Sequence, residues 1–339
     1  MNHRYRTLSI LSILLFCTTI YAEPLRYKGT PNLPGSGKHV VLVSGDEEYR
    51  SEEAVVQLGR ILAKRHGFDC TVLFAIDPES GEINPVCRTN IPDLDVLKAA
   101  DVLVVNLRFR DLPDSQMKHF DDYLKKGKPV LGMRTSTHAF QIPKDKPYAR
   151  YSFDYADEGQ WKQGFGRLVL GETWIDHHGH HGQEATRGMV VPAQKDHPMV
   201  RGCEDIFGPT DVYTVRLPLL GDARPLIYGQ VLEGMKPSDK PVAGPKNDPM
   251  MPIAWTKTYR IDNGPMGQVF ETTMGSSQDL ESEGLRRLLV NAVYWLAGRE
   301  EQIPQSANVE IVGTYETLPM GFGKHKPGMR PQDFALPER

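Results

Sequence analysis

Apolar residues recur along this chain in two rhythms. Short continuous runs rich in β-branched side chains (His39–Ser44, Cys70–Phe74, Asp101–Asn106, Pro129–Met133) have the pattern of strands buried on both faces. Between them the apolar positions fall every three or four residues. Val55, Leu58, Ile61 and Leu62 predict a helix capped by Ser51 and stopped at Gly67, and Met117, Phe120 and Leu124 predict another from Asp114 to Gly127. A third stripe, Leu285, Leu288, Leu289, Ala292, Val293 and Leu296, ends at Gly298. This alternation predicts an α/β fold, a parallel sheet with helices on both faces.

The stretch 141–250 is less periodic and rich in Gly, Pro and His. It offers short strands at Arg167–Leu170, Met189–Val191 and Pro225–Gln230, and two closing strands follow at Pro252–Trp255 and Gly267–Thr273. The predicted domain spans 38–298. Residues 23–37 form an irregular lead-in, and 299–339 a Pro/Gly-rich tail that wraps the domain or stays partly loose.

Arg4 and Arg6 precede an apolar run from Leu8 to Ile20, with a small residue at Ala22. Residues 1–22 therefore have the pattern of a secretory signal peptide, and the run is short for a bilayer span of ~20 residues. The expected location is periplasmic or extracellular, with no membrane association after cleavage. Cleavage would leave Cys70, Cys87 and Cys203. A Cys70–Cys87 disulfide and reduced, buried thiols both remain open. A formal charge of -3 over 339 residues gives no reason to expect nucleic acid as a partner. Association into a homo-oligomer stays open.

Ligands of open parallel sheets sit beyond the carboxyl ends of the strands. Three such ends carry polar residues: Gly45-Asp-Glu-Glu-Tyr-Arg50, Asn106-Leu-Arg-Phe-Arg-Asp111 and Arg134-Thr-Ser-Thr-His138. The last follows a buried strand through a sharp turn, the place where several α/β enzymes carry a nucleophile. Arg134 cannot attack a carbonyl, but a guanidinium suits a substrate oxyanion or vicinal hydroxyls. Asp46 and Glu47 lie in a run of carboxylates suited to general base work, and His138 is suited to proton transfer. Four of the eleven histidines fall in Asp176-His-His-Gly-His-His181, a glycine-containing loop on which imidazoles can converge. His178 and His181 are candidate acids there. His177 and His180 could hold a divalent metal, typically zinc, with Asp176 or Glu184. Arg108, Thr135, Trp174, Trp255 and Ser276 are candidate substrate contacts.

The order of several segments resembles the trehalose-utilisation, or ThuA-like, family over roughly residues 38–298. The segments are Ser44-Gly-Asp46, Gly132-Met-Arg-Thr-Ser-Thr-His138, the His-rich loop, Asp196-His-Pro-Met199 with Asp211-Val-Tyr213, Met251-Pro-Ile-Ala-Trp255, Thr272-Thr-Met-Gly275 and Arg286-Arg-Leu-Leu-Val-Asn291. The resemblance implies a class I glutamine amidotransferase-like fold, flavodoxin-like in outline, and a role in carbohydrate metabolism, on sugars oxidised to the keto form. Amidotransferase relatives carry Cys where Arg134 stands, so glutaminase activity is not expected. ThuA-like members often have His at that position and Gly-His after Thr-Thr-x-Gly. Arg134 and Gly275-Ser276 place this chain in a divergent branch.

The combined expectation is an exported carbohydrate-active enzyme. Arg134 and Arg108 would hold substrate oxygens, Asp46 or Glu47 would act as base, and His138 or the His177–His181 loop as acid. Hydrolase, lyase and isomerase outcomes are all compatible. The competing expectations are a non-catalytic carbohydrate-binding or scaffold protein, and a zinc hydrolase centred on the His-rich loop.

Overall fold

A computed structural model describes residues 23–337. The predicted signal segment, 1–22, lies outside them. Among the described residues no helix is long and apolar enough to cross a membrane.

The continuous apolar runs became the centre of one sheet. β2 (His39–Gly45), β3 (Asp69–Phe74), β4 (Val102–Leu107), β5 (Val130–Met133) and β10 (Met266–Thr272) lie side by side and parallel, in the order β3-β2-β4-β5-β10. Val40 to Val43 and Val102 to Val105 are fully buried, as strands covered on both faces must be. α1 (Ser51–His66) and α3 (Glu283–Leu296) share one core with one face of the sheet, while α2 (Asp114–Lys125) packs on the other. α1 stops where Gly67 adopts φ 83°, a conformation that favours glycine.

The parallel sheet predicted from the alternation is only part of the architecture. The sheet is mixed. β1 (Leu25–Tyr27) adds to one edge antiparallel to β3, and an antiparallel run extends the other edge beyond β10. That run comprises β9 (Met251–Arg260), β8 (Arg224–Val231), β6 (Thr186–Val190) and β7 (Phe207–Gly208). The predicted strand Arg167–Leu170 is instead a π-helical turn, Gly166–Leu170. A short apolar run does not distinguish the two. Cys70, Cys87 and Cys203 are free thiols, so the Cys70–Cys87 disulfide is absent.

Gly132 on β5 owes its place to close approach rather than to a turn. A Cβ there would stand 1.8 Å from Glu271 Oε2, because the Glu271 side chain on β10 packs across it. Glu271 is fully buried and neither carboxyl oxygen has a hydrogen-bond partner. Burial alone pushes its pKa well above 4.5, so the native protein holds it protonated. A carboxyl raised on folding contributes no penalty below its unfolded pKa of about 4.5, and destabilises progressively as pH climbs above that value. Glu271→Gln should therefore gain melting temperature over wild type at pH 8, with the gain shrinking toward pH 4.5. Thermal denaturation across that range checks this, and parallel curves would refute it.

Candidate active site

The carboxyl ends of β2, β4, β5 and β10 bring the three polar segments together. Thr135 Oγ1 donates to Asp46 Oδ2 at 2.5 Å, the Phe109 amide donates to the His138 carbonyl, and Arg108 Nη1 meets Glu47 Oε1 at 2.5 Å. The His-rich loop joins them through backbone pairing. His177 bridges Tyr213, and the His178 and Gly179 amides donate to the Val212 carbonyl. This pairing sets His177 beside Asp211.

Asp211 is the hub. Its Oδ2 lies 2.7 Å from His177 Nδ1, and its Oδ1 lies 3.1 Å from His181 Nδ1 and 2.8 Å from Arg134 Nη2. Burial would raise the Asp211 carboxyl. The Arg134 guanidinium and the two imidazole hydrogen bonds outweigh that, and hold it well below the usual carboxylate range. An ionised Asp211 can accept from both Nδ1–H groups, which turns each Nε2 away from that carboxylate. His181 Nε2 then lies 3.5 Å from Glu48 Oε1. The hydrogen bond to Asp211 is the main cause of the raised His181 pKa, with Glu48 adding to it. Burial in turn raises the Glu48 carboxyl.

His138 lies behind this pair, buried among the rings of Phe109, Phe153, Trp174 and Tyr213 at centroid distances of 5.0 to 6.3 Å. Burial, reinforced by Arg108 and Arg134, pushes its pKa well below 6.5, so it stands as neutral imidazole. Trp174 packs on both His138 and His177 and is half-buried. A cavity of about 460 Å³ opens beside Phe109 and is lined in part by Arg88, Gln141, Ser152 and Tyr155.

Several predicted site residues have other work. Arg134 sits at φ 45°, the strained elbow its motif implied, but its side chain is fully buried. It donates to the Asp211 and Thr273 carbonyls, the Tyr49 hydroxyl and the Asp211 carboxylate, and it lies between the Tyr49 and Tyr213 rings at 4.5 and 3.8 Å. No face is left for a substrate oxygen, so it positions Asp211 instead. Asp46 is fully buried and accepts from the amides of Glu48 and Tyr49 and from Thr135, which fixes the β2–α1 turn and uses the Thr135 hydroxyl. Glu47 is neutralised by Arg88, Arg108 and the buried Arg110. Neither carboxylate is free to act as base. Ser276 is buried and its hydroxyl accepts from the Asp279 amide. Trp255 is buried on β9, where its indole donates to the Leu170 carbonyl. His178 binds the Lys246 carbonyl, and His180 is exposed with its amide on Glu184. The predicted His177–His180 pairing therefore does not form. Among the described residues the grouping with metal-ligand spacing is His177, His181 and Asp211, whose ligand atoms lie within 4.8 Å of one another.

Residue-by-residue reading missed the central roles of Asp211 and Glu48. The available signal was the Asp211-Val-Tyr213 alternation, which places the carboxylate and the ring on one side of an extended segment.

No family model matches the chain, and no curated protein does. Solved structures similar to it include a ThuA-like protein from Bacteroides uniformis, at 15% identity and TM-score 0.44, covering 77% of this chain and 92% of that one. A ThuA-like protein from Parabacteroides merdae, also at 15% identity and TM-score 0.44, covers 88% of this chain and 99% of its own. A cytoplasmic protein from Salmonella typhimurium follows at 13% identity and TM-score 0.37, covering 76% and 98%.

Removing Arg134 strands a buried carboxylate. Arg134→Ala should lower stability by ~3–5 kcal/mol, the scale for breaking a buried ion pair. Chemical denaturation checks this, and a loss below about 1 kcal/mol would place the pair outside the scaffold.

Proposed function

We propose that this chain is a carbohydrate-active enzyme of ThuA-like type, built on a flavodoxin-like arrangement of its five parallel strands and acting by acid/base chemistry on a sugar or keto sugar. The observation that carries the reading is two imidazoles oriented by one buried carboxylate at the strand ends. His181 presents Nε2 to Glu48, which lies beside Arg108, and His177 packs edge-on to Trp174. His177 is suited to take a proton from a carbon or hydroxyl of the substrate. His181, kept protonated to higher pH by Asp211 and Glu48, is suited to return one to a leaving or carbonyl oxygen. The half-buried indole of Trp174 offers an apolar face to a sugar ring. The neutral His138 forms an uncharged floor. The catalytic assignment thus keeps His181 from the sequence reading, leaves out Asp46, Glu47, Arg134, His138 and His178, and adds His177 and Glu48.

One observation favours a second reading, a metal-assisted hydrolase: the His177–His181–Asp211 grouping itself. Arg134 argues against it, because its guanidinium occupies Asp211 Oδ1 and would repel a divalent ion there. Elemental analysis of the purified chain decides between the two. Stoichiometric zinc or another divalent ion, lost in His177→Ala, would install the metal reading.

The test of the main reading is turnover of plain and keto disaccharides (sucrose, cellobiose, trehalose and their keto derivatives), followed by mass spectrometry. His177→Ala and His181→Ala should each cost ~100-fold or more in kcat/KM. Absence of product with wild-type protein across the panel would leave the non-catalytic reading standing. Glu48→Gln should draw the His181 pKa down toward 6.5, since it removes a neighbouring negative charge. An NMR titration of the imidazole reads this directly, and an unmoved pKa would show that Glu48 does not act on His181.

A further inference from the structure

The C-terminal tail brings a residue to the site that no motif singled out. Between Tyr315 and Gly321 it is stitched across the site's outer edge. The Leu318 amide donates to Glu53 Oε2, the Met320 amide to Gln278 Oε1, and the Gly321 amide to the Glu48 carbonyl at 2.7 Å. Tyr315 Oη donates to the Ser277 carbonyl, and Arg50 Nη2 to the Gly321 carbonyl. The next residue, Phe322, is 61% exposed, the most exposed of the large apolar side chains described. It is carried between Gly321 and Gly323, both at positive φ. Its ring lies 5.0 Å from the Arg108 guanidinium, which Phe109 covers on another side at 4.5 Å.

A lone exposed phenylalanine needs no explanation in itself. This one is held on an anchored strap, next to a charged group that belongs to the site. Arg108 Nη1 is taken by Glu47, and Arg108 Nε lies 3.6 Å from Glu48 Oε2, the carboxylate that faces His181. Arg108 Nη2 makes no hydrogen bond among the described residues. An aromatic face beside open guanidinium and carboxylate groups is the pattern that receives a sugar ring. The ring's C–H face stacks on the aromatic surface while its hydroxyls reach the polar groups.

We propose that Phe322, with Arg108, forms an outer sugar subsite, in which the tail supplies the stacking face that positions a pyranose ring toward His177 and His181. The proposal rests on the carbohydrate reading of the site and adds to it a specificity-determining residue outside the parallel-strand loops.

The experiment compares wild type, Phe322→Ala, Phe322→Leu and Phe322→Trp of the full chain. It uses the best substrate of the disaccharide panel, with steady-state kinetics and calorimetry. Because Phe322 is exposed, melting temperatures should match. Phe322→Ala should raise KM and weaken calorimetric affinity ~5–10-fold with kcat within about twofold, Phe322→Leu should recover only part of that, and Phe322→Trp should restore wild-type values or better. Unchanged KM and affinity in Phe322→Ala, with an active wild type, would overturn the subsite while leaving the carbohydrate reading intact. A fall in kcat with KM unchanged would overturn it as well. A wild type that neither binds nor converts any sugar of the panel would refute the carbohydrate reading, and the subsite with it.

Discussion

A guanidinium buried at the end of β5 needs acceptors and a counter-charge, and the Arg134–Asp211 pair is how this chain meets most of that demand. Arg134 draws in two backbone carbonyls, a tyrosine hydroxyl and a carboxylate, and its faces are covered by two tyrosine rings. The demand runs both ways. Asp211 can stay ionised without water only because the guanidinium and two imidazoles surround it. The strained elbow, the antiparallel extension that carries residues 211–213 and the His-rich loop are thereby tied together. If either partner is lost, the imidazoles lose the group that sets their orientation.

Much of the parallel half was legible because its signal is local. Val40–Val43 or Val102–Val105 can be read as a doubly covered strand from the run alone, and Gly67 marks the end of α1 by its own conformational freedom. The sharp turn at Arg134 was legible for the same reason. The meaning of the polar residues was not, because it depends on partners far away in the chain. Arg134 takes its principal acceptor from a position 77 residues on, and Glu47 meets Arg108 and Arg110 across 61 and 63. Residue type said that a guanidinium or a carboxylate was present, but not that it was already engaged. The His-rich loop shows the reverse case. His177 and His181 were prominent in the sequence, yet what makes them different from His178 and His180 is a carboxylate 34 and 30 positions away.

The electrostatic layout grades the site from its interior to its rim. Burial behind aromatic walls lowers the His138 pKa, Arg134 and two imidazoles hold the Asp211 carboxyl down, and Asp211 and Glu48 raise the His181 pKa further out. Such spreading of pKa values among neighbouring groups is how one cleft can both withdraw and return a proton near neutrality. The main buried charges of the site meet opposite charges before any ligand arrives, Arg134 on Asp211 and Glu47 on Arg108 and Arg110.

The tail reaches the site by contacts such as Arg50 to Gly321, 271 positions apart. Closing so long a loop costs little more entropy than closing a shorter one, but it waits until the domain beneath is assembled. The strap, lying on the surface and held mainly by single hydrogen bonds, belongs to the least cooperative layer of the molecule. Its amides should exchange with solvent deuterium through local detachment, far sooner than those of β2 or β4. Among the described residues none of the strap's hydrogen bonds involves Arg134 or Asp211, so its attachment to the domain is separate from the hub.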